Sequence, residues 1–170
     1  FVGGWVRDRL LGQESKDIDL EIHGIEAAPL RRLLEDVAPV NAVGESFTVY
    51  KVGPVDVALP RTESKTGRGH RGFEVIGNPH LSIEDAARRR DFTINGLFYD
   101  PLTDRVIDYV GGVEDLNRGL IRAIGDPVAR LDEDKLRMLR AVRFAATFTF
   151  DLVPTTRQAI QEHSHQIRAV

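Results

Sequence analysis

The chain has 170 residues, 42% of them apolar and 29% charged, and it contains no cysteine. That composition is ordinary for a folded domain and excludes wholesale disorder, while the missing cysteines exclude a disulfide framework, a thiolate metal site and a cysteine nucleophile. A net charge of −3 gives no general attraction for nucleic acid, so such a partner must be held by local clusters. No run approaches the roughly 20 apolar residues that a membrane span needs, and no basic segment leads into an apolar run at the start, so a cytoplasmic protein with no membrane partner is expected. The chain opens at Phe1 and stops at Val170 inside a helical pattern, which reads as a piece of something longer.

After a Gly3-Gly4 turn, residues 6–11 read as a short helix that Gly12 ends in a left-handed position. Ile18, Leu20 and Ile22 alternate with Asp17, Asp19 and Glu21, the period-2 pattern of a half-buried strand. Residues 25–37 form an amphipathic helix with Leu30, Leu33 and Leu34 on one side and Pro29 confined to its first turn. Strands are expected at residues 47–52 and 55–59, joined through Gly53-Pro54. Residues 61–72 are polar, basic and glycine-rich, and read as a mobile loop. Ser82 caps a helix that runs into Arg88-Arg89-Arg90, and residues 97–99 and 106–109 pair as strands across Asp100-Pro101. Beyond Gly125, Leu131, Leu136, Leu139, Val142 and Phe144 have helical spacing, and residues 155–167 form another helix after Pro154. This order predicts an α+β protein with an α/β-type head over residues 1–121 and a helical segment over residues 122–170.

Three constellations point to chemistry. Asp17 and Asp19 stand i and i+2 on one strand face, where two like charges repel unless a cation lies between them; hard oxygen ligands of this kind suit magnesium beside phosphates. Gly3-Gly4 before a helix supplies backbone N–H groups for a triphosphate. Asp56, between Val55 and Val57 on a neighbouring strand, is either a third carboxylate of a two-metal cradle or an ordinary outward-facing residue. In Arg88-Arg89-Arg90-Asp91-Phe92-Thr93-Ile94-Asn95 the arginines complement a helix end, while Asp91 and Asn95, four apart, share a face and suit ribose hydroxyls. Asp134 and Arg137, three apart on one helical face, either pair as a surface ion pair or act together on a ligand.

These motifs resemble the class II tRNA nucleotidyltransferases, the CCA-adding enzymes with their bacterial poly(A) polymerase relatives. The resemblance rests on Gly3-Gly4-Trp5-Val6-Arg7-Asp8 with Lys16-Asp17-Ile18-Asp19, on Ala58-Leu59-Pro60-Arg61-Thr62-Glu63, on Arg89 through Asn95, and on Glu133-Asp134-Lys135-Leu136-Arg137 with Arg140-Ala141-Val142-Arg143-Phe144-Ala145. It implies a polymerase-beta-like nucleotidyltransferase head, a mixed or antiparallel sheet flanked by helices, followed by an all-helical neck that carries base recognition. It also implies CCA addition from CTP and ATP to the tRNA 3′ end by two-metal phosphoryl transfer with Mg2+. Carried over by resemblance, Asp17 and Asp19 are metal ligands, while Asp56 stays a candidate third catalytic carboxylate on its strand position alone. Gly3, Gly4 and Arg7 lie near the triphosphate, Arg90 contacts phosphate, and Asp91 and Asn95 contact ribose. Asp134 and Arg137 read the base, with Arg140 and Arg143 as further nucleotide contacts. The 61–72 segment resembles the loop that helps switch from C to A addition. Gly96 stands where the family usually has alanine, which should loosen the turn after Asn95.

Other readings compete. A bacterial poly(A) polymerase is the main one, although residues 44–50 lack the basic segment such enzymes tend to carry after the paired aspartates. CC-only or A-only addition depends on details of loop and body. A non-catalytic nucleotide- or RNA-binding module predicts damage to Asp17 or Asp19, and both are present. The five histidines show no ligand spacing. Trp5, Phe144 and Phe148 read as packing residues.

Overall fold

The computed structural model describes residues 1–15, 17–43, 49–65 and 73–169. Lys16, residues 44–48 (the start of the strand expected at 47–52 included) and residues 66–72 of the expected loop lie outside them.

Helix α1 (Gly4–Leu10) follows directly on Gly3, whose φ of 65° is open to glycine at little cost. Strand β1 (Ile18–Glu21) comes next, then α2 (Ala27–Val37), with Pro29 inside the first turn where its missing N–H is harmless. Leu30 is buried on α2, but Leu33 is 57% exposed, so the apolar stripe is narrower than the leucine spacing predicts. Strands β2 (Val40–Val43), β3 (Val49–Val52) and β4 (Val55–Ala58) complete a mixed sheet ordered β1-β4-β3-β2. β1 and β4 run parallel, and β4-β3 and β3-β2 antiparallel. Gly53 (φ 58°) and Pro54 close the β3-β4 turn, a positive φ followed by the ring-fixed φ of proline. β2 was not anticipated, because its four residues carry little alternation and follow Pro39 closely.

Residues 61–65 are a strand rather than the start of a mobile loop. β5 (Arg61–Lys65) pairs antiparallel with β6 (Phe73–Gly77), in a two-stranded sheet where the backbone ladder supplies what a polar side-chain pattern does not advertise. Ser82 caps α3 (Ile83–Arg88) by accepting from the Asp85 N–H. A 3-10 turn over Thr93–Asn95 leads into the hairpin β7 (Phe98–Asp100) and β8 (Arg105–Ile107), then α4 (Gly112–Asn117) and β9 (Leu120–Ile121).

The last segment contains α5 (Pro127–Glu133), α6 (Leu136–Phe148), the two-residue strand β10 (Asp151–Leu152) and α7 (Pro154–His163). β10 pairs with β9, so one short strand interrupts the helices there. The helical pattern also breaks at Asp134, whose φ of −142° and ψ of 109° end α5; Asp134 and Arg137 therefore do not share one helix. Asp134 instead turns its carboxylate back onto the Leu136 N–H at 3.0 Å.

A single apolar cluster ties the parts together. Val6, Phe92, Ile94, Leu97, Leu116 and Ile121 pack with Ala123, Ala141 and Phe144, so α6 shares its core with α1 and the turn after Asp91. Phe92 and Ile94 are 1% and 0% exposed, and burial of each side chain contributes about 2 kcal/mol. A second cluster, Leu30, Tyr50, Val57 and Leu59, fills the space between α2 and the sheet. Among the described residues no helix is long and apolar enough to cross a membrane.

Candidate active site

One cleft of about 630 Å³ opens between the β1-β4 edge, the Gly3 turn, the end of α3 and the start of α6. Gly3, Gly4, Arg7, Asp17, Asp19, Asp56, Arg90, Asp91, Asn95, Asp134, Arg137, Arg140 and Arg143 all line it. Residues as far apart in sequence as Gly3 and Arg143 thus meet around one space.

The acidic wall comes from strand register. Asp19 sits opposite Asp56 across the parallel β1-β4 pair, while Asp17, expected on the same strand, lies one residue before β1 and lines the same cleft. Burial pushes the Asp19 carboxyl above its ordinary value; Arg90 opposes this, and the Asp56 and Asp17 charges add to it. A carboxylate that resists ionisation through burial, with like charges beside it, is one that a divalent cation would relieve, and hard carboxylate oxygens are the donors magnesium prefers. Asp17 and Asp19 thus fit a cation. Asp56 is drawn elsewhere, since the Lys51 ammonium takes both its oxygens at 2.8 and 3.1 Å. Among the described residues no three carboxylate or imidazole groups converge as a preformed cradle.

The opposite wall is a chain of hydrogen bonds through buried polar groups. Asp91, 8% exposed, accepts from the Phe92 N–H at 2.8 Å, from Asn95 Nδ2 at 3.0 Å and from Arg140 Nε at 2.6 Å. Asn95 Oδ1 in turn accepts from Arg7 Nη1 at 2.6 Å. Arg7 also donates to Asp8, and its guanidinium lies 5.3 Å and 4.5 Å from the ring centres of Phe144 and Phe148. Arg7, expected beside a triphosphate, therefore gives its donors to Asn95 and Asp8, and Phe144, read as core, also lines the cleft. Behind this wall Thr93 Oγ1 donates to buried Asp115 at 2.7 Å, and Arg122 closes the same carboxylate at 2.8 and 3.1 Å.

Glu21 is a cleft residue that motif reading passed over. Standing two residues after Asp19, it shares a strand face with that aspartate, a signal the alternation already carried. Arg90 Nη2 meets its Oε2 at 3.3 Å and His23 Nε2 its Oε1 at 3.0 Å. Burial works to raise the Glu21 carboxyl, but the His23 hydrogen bond and the Arg90 charge outweigh it and hold the group below its ordinary value. The same bond to Glu21 raises the His23 imidazole. Arg90 packs so tightly on the glycine turn that a Cβ on Gly3 would come within 2.8 Å of its Nη1. Gly3 is favoured by its φ of 65°, and a side chain there would also have to displace the end of Arg90.

At the third wall, Arg137 is 11% exposed and donates Nη1 to the Arg130 carbonyl and to Glu133 Oε2, both at 2.7 Å. A glycine was expected to loosen the turn after Asn95. Gly96 is instead closely packed, because a Cβ there would lie 2.7 Å from Val110 Cγ2 and 3.1 Å from Ile124 Cδ1.

The sequence and the fold both have known relatives. A family model described as the Poly A polymerase head domain matches residues 1–122. The Multifunctional CCA protein of Xylella fastidiosa is 41% identical over 168 residues, covering 95% of this chain and 38% of that protein. Poly(A) polymerase I of Salmonella typhi is 42% identical over 174 residues, covering 94% of this chain and 36% of that one. Among solved structures, the Bacillus stearothermophilus CCA-adding enzyme in complex with CTP superposes with a TM-score of 0.80 at 34% identity, over 100% of this chain and 40% of that one. The Thermotoga maritima CCA-adding enzyme complexed with tRNA gives 0.73 at 28% identity, over 97% of this chain and 37% of that one. The chain spans 38% and 36% of the length of the two curated relatives. On the matched residues and the fold they share, the chain belongs to the poly A polymerase head-domain family, the class II nucleotidyltransferases that include CCA-adding enzymes and bacterial poly(A) polymerases.

Proposed function

We propose that this chain carries the catalytic site of a template-independent nucleotidyltransferase that adds C and A from CTP and ATP to the tRNA 3′ end. The observation that carries the reading is the single cleft in which paired aspartates, a glycine turn and an arginine-lined wall face one another. Residues 1–121 act as the catalytic head and residues 122–170 as the neck that reads the base.

The reaction forms one bond from the RNA 3′-oxygen to the α-phosphorus of the nucleotide and breaks the bond from that phosphorus to the pyrophosphate oxygen, which leaves with the electron pair. The hydroxyl proton passes to solvent or a nearby carboxylate. Asp17 and Asp19 would hold Mg2+, which when bound supplies charge neutralisation on the phosphate oxygens. Gly3 and Gly4 bring backbone close to the triphosphate, and Arg90, held by Glu21, faces the same end. Asp91 and Asn95 address the ribose by exchanging their mutual hydrogen bonds for its hydroxyls. Asp134 accepts from the exocyclic amino group that cytosine and adenine both carry, and Arg137 donates to their ring acceptors; uracil and guanine present a carbonyl where the amino group should be.

The comparable identity to Poly(A) polymerase I favours one second reading, addition of A alone. Sequencing the products separates the two: the protein from the complete gene is incubated with tRNA ending before CCA and with CTP, ATP or both. Addition of CCA is expected, and long oligo(A) tracts that ignore CTP would refute it.

A further inference from the structure

Arg130 lies on α5 with its side chain 14% exposed, and no motif singled it out. Its contacts reach in two directions. Nη2 donates to two consecutive carbonyls, Arg89 at 2.5 Å and Arg90 at 2.8 Å, where α3 ends and the turn to Asp91 begins. Nη1 donates to Glu133 Oε2 at 2.6 Å. That same oxygen accepts from Arg137 Nη1, and the Arg130 carbonyl accepts from the same Arg137 nitrogen.

Two parts of the cleft that bind different ends of one ligand are thereby referenced to one residue. The Arg90-Asp91 turn faces phosphate and ribose; Arg137 faces the base. With Nη1 anchored twice, Arg137 is left Nε and Nη2 as the donors that make no bond among the described residues. An arginine can discriminate bases only if its planar fork is fixed relative to the ribose, since a guanidinium free to slide donates equally well to a wrong acceptor.

We propose that Arg130 is a specificity-determining positioning residue, which sets the placement of the Arg137 fork against the Arg90-Asp91 turn and so governs selection of CTP and ATP over UTP and GTP. The inference rests on the proposed role of Arg137 as base reader. A plain helix-capping role predicts something different: loss of stability with selection unchanged, because every nucleotide would suffer alike.

The test uses the protein from the complete gene, as wild type, Arg130→Ala and Arg130→Lys, with tRNA lacking CCA. Steady-state incorporation of CTP, ATP, UTP and GTP is measured beside the melting temperature of each variant. Arg130→Ala is expected to lower the ratio of kcat/KM for CTP to that for UTP by about tenfold or more, chiefly through the KM for CTP. Arg130→Lys is expected to recover most of the melting temperature but not the ratio, because one ammonium on the Arg89 and Arg90 carbonyls cannot also hold Glu133. An unchanged ratio in both variants, whatever their melting temperatures, overturns the proposal. If Arg130→Ala does not fold, the ratio for Arg130→Lys decides by the same criterion. A wild-type protein with no preference for CTP over UTP refutes the functional reading and the inference together, and is recognised before any variant is considered.

Discussion

Replacing Asp91 by alanine tests how the cleft wall is held together. Three donors lose their acceptor: the Phe92 N–H, the Asn95 amide and Arg140 Nε. The first two are buried neutral groups, each costing about 1 kcal/mol when its bond is lost. The arginine bond is charge-assisted, but Arg140 is 43% exposed and solvent screening reduces its share to about 1 kcal/mol. The sum is roughly 3 kcal/mol, a fall of about 10 °C in melting temperature for a chain of this size. Urea or thermal unfolding of the wild type, Asp91→Ala, Arg140→Ala and the double variant measures both the total and the coupling, expected near 1 kcal/mol. A loss below about 1 kcal/mol for Asp91→Ala, or strict additivity with Arg140→Ala, would refute the reasoning.

Further outcomes are expected at the paired aspartates, at His23 and at Gly96. Asp19→Asn should raise the melting temperature at neutral pH and lose that advantage in acid. The sign follows from the raised Asp19 carboxyl: the ionised form costs folding free energy above the folded pKa, and protonation removes the cost. Magnesium should stabilise the wild type more than this variant, and nucleotide transfer should vanish in Asp17→Ala plus Asp19→Ala; transfer unaffected by that double change would sink the metal assignment. His23, raised above 6.5 by its bond to Glu21, contributes stability that is complete below its unfolded value and lost as pH rises through the folded one. Melting temperatures of the wild type and His23→Gln should therefore differ more at about pH 5.5 than at about pH 8.5, and a gap that widens with pH would contradict the geometry. Gly96→Ala should destabilise by about 1–2 kcal/mol through overpacking, and Val110→Ala in the same chain should relieve part of it, as denaturation midpoints would show.

Much of the site was legible in order along the chain. The alternation through residues 17–22 marked a strand, found at Ile18–Glu21 with Asp17 just before it, and Ser82 marked its helix correctly. The Gly53-Pro54 hairpin followed from turn chemistry alone. These are local signals, in which a side chain answers to its own backbone within a few residues. Where the signal was not local, reading failed. The strand at Arg61–Lys65 is held by partners that begin at Phe73, and its polar composition gave no hint of them. A local signal was missed too: at Asp134 a carboxylate turns onto the Leu136 N–H two residues on, which helical spacing does not reveal.

The sequence by itself determined the inventory of the site: two aspartates two residues apart, a glycine turn, an arginine-aspartate-asparagine run and an acidic-basic pair, because periodicity and motif spacing are written residue by residue. Only the tertiary structure decided which of these groups are already engaged. Arg7 gives its donors to Asn95 and Asp8, Asp56 belongs to Lys51, and Glu21 and Arg130 hold the arginines that face the cleft. The partners lie between 1 and 88 residues away in sequence, and beyond the first turn a hydrogen bond depends on how elements pack, which no local pattern specifies.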